Sequence, residues 1–218
     1  MPSIRSQIAI SCAMIACASF SYAATPGYVE TFESGLNGWG SNPSVITHVL
    51  TNGADGPSDP YAMIEGVDAP TELLIRASTS SNPDVTGDYT AAGITQISFE
   101  LNELGIDDGL AIRIGFGQLG NFWVSNQIFD PSANTWEQYT IDLVEANFTE
   151  VFGGLGTFSA AMSNAQRIQF RLDFDAPGIM PDVGEGDFGL DNVTLIPTPA
   201  PVCIVALGGA AVVRCRRR

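Results

Sequence analysis

The chain of 218 residues has no lysine, a single histidine (His48) and no cysteine between Ala24 and Val202. Each gap removes a class of chemistry. A body without cysteine holds no Cys–His nucleophile, no zinc cluster of the usual Cys/His spacing and no disulfide framework. A Ser–His–Asp relay would have to use His48, which lies in the alternating stretch Val45–Thr51, and there is no Gly-x-Ser-x-Gly elbow to carry the serine. Glycine-rich phosphate loops are missing too. Nor is there an apolar run long enough to cross a bilayer, since Val202–Val213 offers only 12 residues where about 20 are needed.

Positive charge is scarce in the middle of the chain. All 24 acidic residues fall between Glu30 and Asp191, where only Arg76, Arg113, Arg167 and Arg171 oppose them, a net of −20. Such a surface repels phosphate backbones, so nucleic acid is excluded as a partner. It suits a medium rich in screening salt or divalent cations.

What is present begins with two unusual ends. Residues 1–23 carry one positive charge at Arg5, an apolar run from Ile8 to Phe20 and small residues at Ser21 and Ala23. This is a signal peptide, expected to be helical and cut between Ala23 and Ala24. Residues 197–218 combine Pro197, Pro199 and Pro201 with a short Gly/Ala-rich apolar segment, expected as a short helix, and a terminal Arg-Cys-Arg-Arg-Arg. Arginines at that end stay on the cytoplasmic side while the body is exported, so membrane association is transient. Order and spacing resemble the PEP-CTERM sorting signal, although Thr198 stands where that motif has glutamate. The resemblance implies processing by an exosortase and delivery through the inner membrane to the cell surface or extracellular matrix. An ordinary C-terminal membrane anchor is the other reading of this tail.

Between the ends, apolar residues recur with period two. Ile97, Phe99 and Leu101 oppose Ser98, Glu100 and Asn102; Leu110, Ile112, Ile114 and Phe116 oppose Ala111, Arg113 and Gly115. Tyr139, Ile141 and Leu143 form a third row, and Ile168, Phe170, Leu172 and Phe174 a fourth, set against Gln169, Arg171 and Asp173. Clean alternation marks antiparallel strands with one face on a core. Further strands are expected at Gly27–Phe32, Val45–Thr51, Tyr61–Glu65, Glu72–Ala77, Phe122–Phe129 and Phe188–Ile196, separated by Gly/Pro/Asn/Asp clusters. The one helical candidate is Val144–Phe152. Residues 24–196 therefore predict a single all-β domain, an antiparallel β-sandwich or jelly roll of about ten strands.

Three motifs in order, Thr31-Phe-Glu-Ser-Gly-Leu-Asn-Gly-Trp39, Asn134-Thr-Trp136 and Gly186-Asp-Phe-Gly-Leu-Asp-Asn-Val-Thr-Leu195, resemble the galactose-binding-like jelly rolls that include many carbohydrate-binding modules. The resemblance implies a structural calcium held by Glu33 and Asp191. Calcium takes six to eight oxygen ligands, and Asp55 and Asp59, in a loop dense in Gly and Asp, are the next candidates; Asp182, Glu185 and Asp187 read as solvated acids.

Sugars stack on aromatic rings while planar polar groups take their hydroxyls. The stretch Phe122–Phe129 can present Trp123, Ser125 and Gln127 on one face, with Arg113, Arg171 and Asp173 beside them, as a site for polysaccharide. Phe122, Val124 and Ile128 alternate equally well, so the direction of that strand stays open. Trp39 and Trp136 are expected to pack. The expectation is an exported, non-enzymatic, glycan-binding sandwich stabilised by calcium. The alternatives are an adhesive matrix protein without sugar binding, favoured if Trp123 is buried, and a glycan-active hydrolase or lyase with paired carboxylates.

Overall fold

A computed structural model describes residues 24–199 apart from 42–43, 67–70, 79, 106–108 and 155. Residues 1–23, where a signal peptide is expected, with Ala23, Pro201 and both expected terminal helices, lie outside the described residues.

Thirteen strands occur among the described residues: β1 (Val29–Glu30), β2 (Val45–Val49), β3 (Tyr61–Glu65), β4 (Thr71–Glu72), β5 (Leu74–Ser78), β6 (Ile94–Leu104), β7 (Ile112–Gln118), β8 (Asn121–Ser125), β9 (Glu137–Asp142), β10 (Phe148–Glu150), β11 (Arg167–Leu172), β12 (Val183–Gly184) and β13 (Asp187–Pro197). One sheet runs β2-β3-β13-β6-β9, with β1 also on β13, and the other runs β10-β8-β7-β11-β5. β4 and β12 form a separate two-stranded ribbon. Every strand-to-strand ladder is antiparallel.

The alternating rows do what period two demands. Ile97, Phe99 and Leu101 from β6 meet Ile112, Ile114 and Phe116 from β7 and Ile168, Phe170 and Leu172 from β11, all fully buried. Phe99 is the hinge of this packing, with ring centroids 4.9 Å from Phe129 and 4.8 Å from Phe170, both edge to face. Trp39 is in the core, as expected, against Phe32 and Phe170. Phe174, the last member of its row, falls after β11 and is 47% exposed.

β13 organises the first sheet. Along one edge it pairs with β6; along the other it pairs with β3 through Asp187–Leu190 and then with β1 through Val193–Thr194. The register shifts between Asp191 and Thr194, where Asn192 takes φ +49°. This bulge turns the alternation over, so that Phe188 and Leu190 before it and Val193 and Leu195 after it all reach the core. Asp191 is left on the outer side of the sheet, covered by the 53–59 loop.

The helical expectation at Val144–Phe152 is corrected. Glu145–Asn147 make one 3₁₀ turn, and Phe148–Glu150 become edge strand β10 on β8, because Phe148 is drawn into the core beside Phe116 and Phe158. Among the described residues one α-helix, α1 (Phe158–Met162), follows it; Thr157 caps it by accepting from Ala160 N at 3.2 Å, and Phe158, Ala161 and Met162 face inward.

Candidate functional site: one sheet face and an acidic loop

The five-stranded sheet collects the body's positive charge. Arg171 on β11 stands directly opposite Arg113 on β7, and Gln169 stands opposite Arg76 on β5, with Arg167 two residues further along β11 and opposite Ser78. Residues directly opposed across strands share a face. Ile75, Ile114, Ile168 and Phe170 of the same strands are buried in the core, so all four arginines lie on the outer face.

Two of them are consumed internally. Arg171, 1% exposed, makes a bidentate pair with Asp173 at 2.7 Å and also donates to the carbonyls of Gly178 at 2.9 Å and Met180 at 2.7 Å. Arg113 donates to the carbonyls of Ser125 at 2.9 Å, Asn126 at 2.5 Å and Asp175 at 2.8 Å. Together they staple the 173–182 loop over one end of the face. Burial raises the Asp173 carboxyl above its ordinary range, with Arg171 pulling it back. Burial lowers Arg113.

This overturns the sugar site expected around Trp123. Arg113, Arg171 and Asp173 are brought together as anticipated, but their polar atoms are turned to one another and to loop carbonyls. Trp123 faces the core: it pairs with Phe116, its ring meets Phe158 edge to face at 5.3 Å, and Nε1 donates to Asn121 Oδ1 at 2.8 Å. Gln127 is exposed beyond the end of β8. The outward residues of β8 are Phe122 and Val124, which form a small apolar cluster with Val151. Gly115 is needed beneath them, because a Cβ there would meet the Phe122 ring at 2.6 Å.

The other half of the face is open. Arg76 is half-buried and Arg167 exposed, and among the described residues neither guanidinium has an ion-pair or hydrogen-bond partner. They line a cavity of about 270 Å³ together with Ser41, Ser78, Ser81 and the backbone at Gly38 and Gly40. Gly40 bridges to Arg76 by two 2.9 Å backbone hydrogen bonds, which closes this end of the sheet. A second cavity of about 310 Å³ adjoins it across Ser78 and Arg167 and reaches Gln118, Leu119 and Gln166. The sequence carried one signal for these residues, the placement of Arg76 and Arg167 out of phase with buried isoleucines; their meeting depended on strand order.

The acidic loop lies elsewhere. Glu33, Asp55 and Asp59 rim a cavity of about 440 Å³ with Pro57 and Ser58. Asp191, fully buried, accepts from Ala54 N at 3.1 Å and Asn192 N at 2.8 Å and shares a hydrogen bond with Asp59. Burial, reinforced by Asp59, pushes the Asp191 carboxyl well above the usual carboxylate range. Gly53 fits between these acids, since a Cβ would lie 2.4 Å from Asp59 Oδ2 and 2.9 Å from Asp191 Oδ2. The donors are all oxygen, as a hard cation requires. Among the described residues, however, no three Asp, Glu, His or Cys side chains close into a metal-binding cluster.

The buried acid here is Glu30, one residue before the opening motif, and not the motif's Glu33. Its carboxylate accepts from Asn37 at 2.7 Å, Tyr28 and Asn82 at 3.1 Å, Trp39 Nε1 at 3.3 Å and Phe32 N at 3.1 Å. Tyr28 is pushed up to about 12 by burial and by Glu30. Phe32 sits in the left-handed region at φ +56°, held there by Glu30 on its N–H and by His48 Nε2, 2.8 Å from its carbonyl oxygen. Trp136 is half-buried, lying over Gly189 with its ring edge-on to Tyr61 at 5.1 Å.

No family model matches the sequence, and no curated protein matches it. Solved structures do match the fold. A family 11 carbohydrate-binding module from Clostridium thermocellum, in complex with a β-1,3-1,4-mixed-linked tetrasaccharide, aligns at TM-score 0.52 and 17% identity over 81% of this chain and 98% of that one. The CBM22-1 xylan-binding domain of Paenibacillus barcinonensis Xyn10C aligns at TM-score 0.51 and 13% identity over 81% and 99%. An exo-β-agarase aligns at TM-score 0.57 and 10% identity, over 79% of this chain and 25% of that one. At these identities the likeness is one of architecture: the chain folds as a two-sheet antiparallel β-sandwich similar to the jelly rolls of carbohydrate-binding modules.

Proposed function

We infer that the protein is an exported, non-enzymatic, glycan-binding module whose ligand lies along the open half of the five-stranded sheet. The observation that carries this reading is the pair of adjoining cavities across Arg167, lined by guanidiniums, hydroxyls and amides, on a sandwich of the carbohydrate-binding-module type. Placed polar groups on a preformed surface are what sugar hydroxyls require. Binding of the purified full-length chain to an array of plant, algal and bacterial polysaccharides tests it. Retention on at least one glycan is expected, and retention on none removes the reading.

Calcium belongs to the same proposal. Asp59 and Asp191 would hold the ion, with Glu33 and Asp55 at the rim, and the cation would displace the proton held by the buried Asp191 carboxyl. Export by the signal segment and processing of the proline-arginine tail by an exosortase complete it; the intact mass of the protein recovered outside the cell should lack residues 1–23 and the Arg-rich end. The burial of Trp123 favours a second reading, calcium-dependent adhesion without sugar, which expects no retention on any glycan.

A further inference from the structure

We propose that the ligand is an anionic polysaccharide, with Arg76 and Arg167 clamping its carboxylate or sulfate groups. The inference rests on the glycan-binding reading and names the substrate class of that same face.

Charge segregation is the first ground. Residues 24–196 carry 24 acids and four arginines, and every arginine projects from one face of one sheet. Where an arginine in this body serves structure, it is matched: Arg171 has Asp173, and Arg113 has the carbonyls around it. Arg76 and Arg167 have neither among the described residues. In so acidic a chain a neighbouring carboxylate is the easiest partner to supply, yet no Asp or Glu lines either cavity that these two residues border. Instead the two cations face the same space from adjacent strands, one diagonal step apart.

Like charges held together leave a local excess that an anion relieves. Although much of the Arg167 side chain is open to solvent, partial desolvation of its guanidinium at the cavity wall lowers its proton affinity, and the neighbouring Arg76 charge adds to this in second place. A guanidinium matches a carboxylate or sulfate with two parallel N–H donors, and the opposite charge strengthens both bonds in a way that a neutral sugar hydroxyl cannot. Ser78 is common to both cavities, and Ser41, Ser81 and Gln166 stand along them. A sugar chain crossing Arg167 from one cavity to the other would therefore meet charge at the centre and hydroxyl or amide groups on either side.

The test compares a polyuronate, a sulfated galactan, and neutral xylan and mixed-linkage glucan, by titration calorimetry with the full-length chain. EDTA is present so that divalent ions cannot bridge an acidic polymer to the acidic body. Binding to the polyuronate or the sulfated galactan is expected, the preferred one identifying the anionic group. Arg76→Gln and Arg167→Gln should each weaken it by about tenfold or more, the range set by losing a charge-assisted hydrogen bond. Arg167→Lys, which keeps charge and loses the fork, should fall between. Unchanged thermal melts show that these surface variants fold. Binding to the neutral polymers alone, or acidic binding untouched by either glutamine variant, overturns the anionic assignment while leaving the glycan-binding reading in place. Binding to no polymer in this set or in the broader array removes both.

Discussion

Glu30 shows how much one buried group can organise. Five donors converge on its carboxylate, from Tyr28, Phe32, Asn37, Trp39 and Asn82. A carboxylate only accepts, so all five are served. A glutamine of the same shape would turn an NH₂ toward that ring of donors and leave at least one of them unsatisfied. Glu30→Gln should cost about 2–3 kcal/mol in urea unfolding, more than an ordinary surface change. A loss below about 0.5 kcal/mol would show that the network does not depend on the negative charge. The opening motif drew attention to Glu33, but Glu30 stands three residues earlier, just outside the motif, and only its pairing with Val193 decides which of the two enters the core.

The strands were legible where one face is apolar and the other is not. β6, β9 and β11 lie within a residue or two of where the alternation puts them, and β3 coincides with it. β8 was ambiguous because both its faces are apolar, one on the main core and one on the Phe122–Val124–Val151 cluster. That ambiguity hid the burial of Trp123. α1 went unseen although its signal was present, a Thr157 cap followed by Phe158, Ala161 and Met162 at helical spacing; at five residues it is too short for periodicity to stand out. Polar rows carry a related trap: Arg113 and Arg171 alternate as a solvent face should, yet a later loop covers them. That loop is the place to test the element. Arg171→Lys keeps a charge beside Asp173 but cannot reach Asp173, Gly178 and Met180 together. Limited proteolysis should then cut within residues 174–181 markedly faster than in the wild type; equal rates would mean that the loop is held by other contacts.

At the scale of the whole molecule, the excess of negative charge couples stability to pH and to cations. Asp191 keeps its proton in the folded state up to about pH 8, whereas an unfolded aspartate loses it near 4. Between those values the native state binds more protons than the unfolded state, so stability falls as pH rises. Burial acts on Asp173 in the same direction. With EDTA present, the melting temperature should decline from pH 5 to pH 8, and Asp191→Asn should flatten the decline. Calcium added at pH 8 should restore it in the wild type and much less in Asp191→Asn. A melt indifferent to calcium at every pH would remove the ion from the account and leave the buried Asp191, hydrogen-bonded to Asp59, as a purely structural feature.

The path of β13 has a mechanical consequence. It is the last strand of the body, yet it lies inside the six-stranded sheet, laced to β6 along one side and to β3 and β1 along the other. Tension arriving at Pro197 from the segment beyond enters the middle of the sheet and loads two ladders in shear at once. A strand placed at the rim would instead be unzipped one hydrogen bond at a time. Were the body to bind a polymer through its opposite sheet while tethered by the chain after Pro197, the pull would enter the part of the fold best arranged to resist being drawn out.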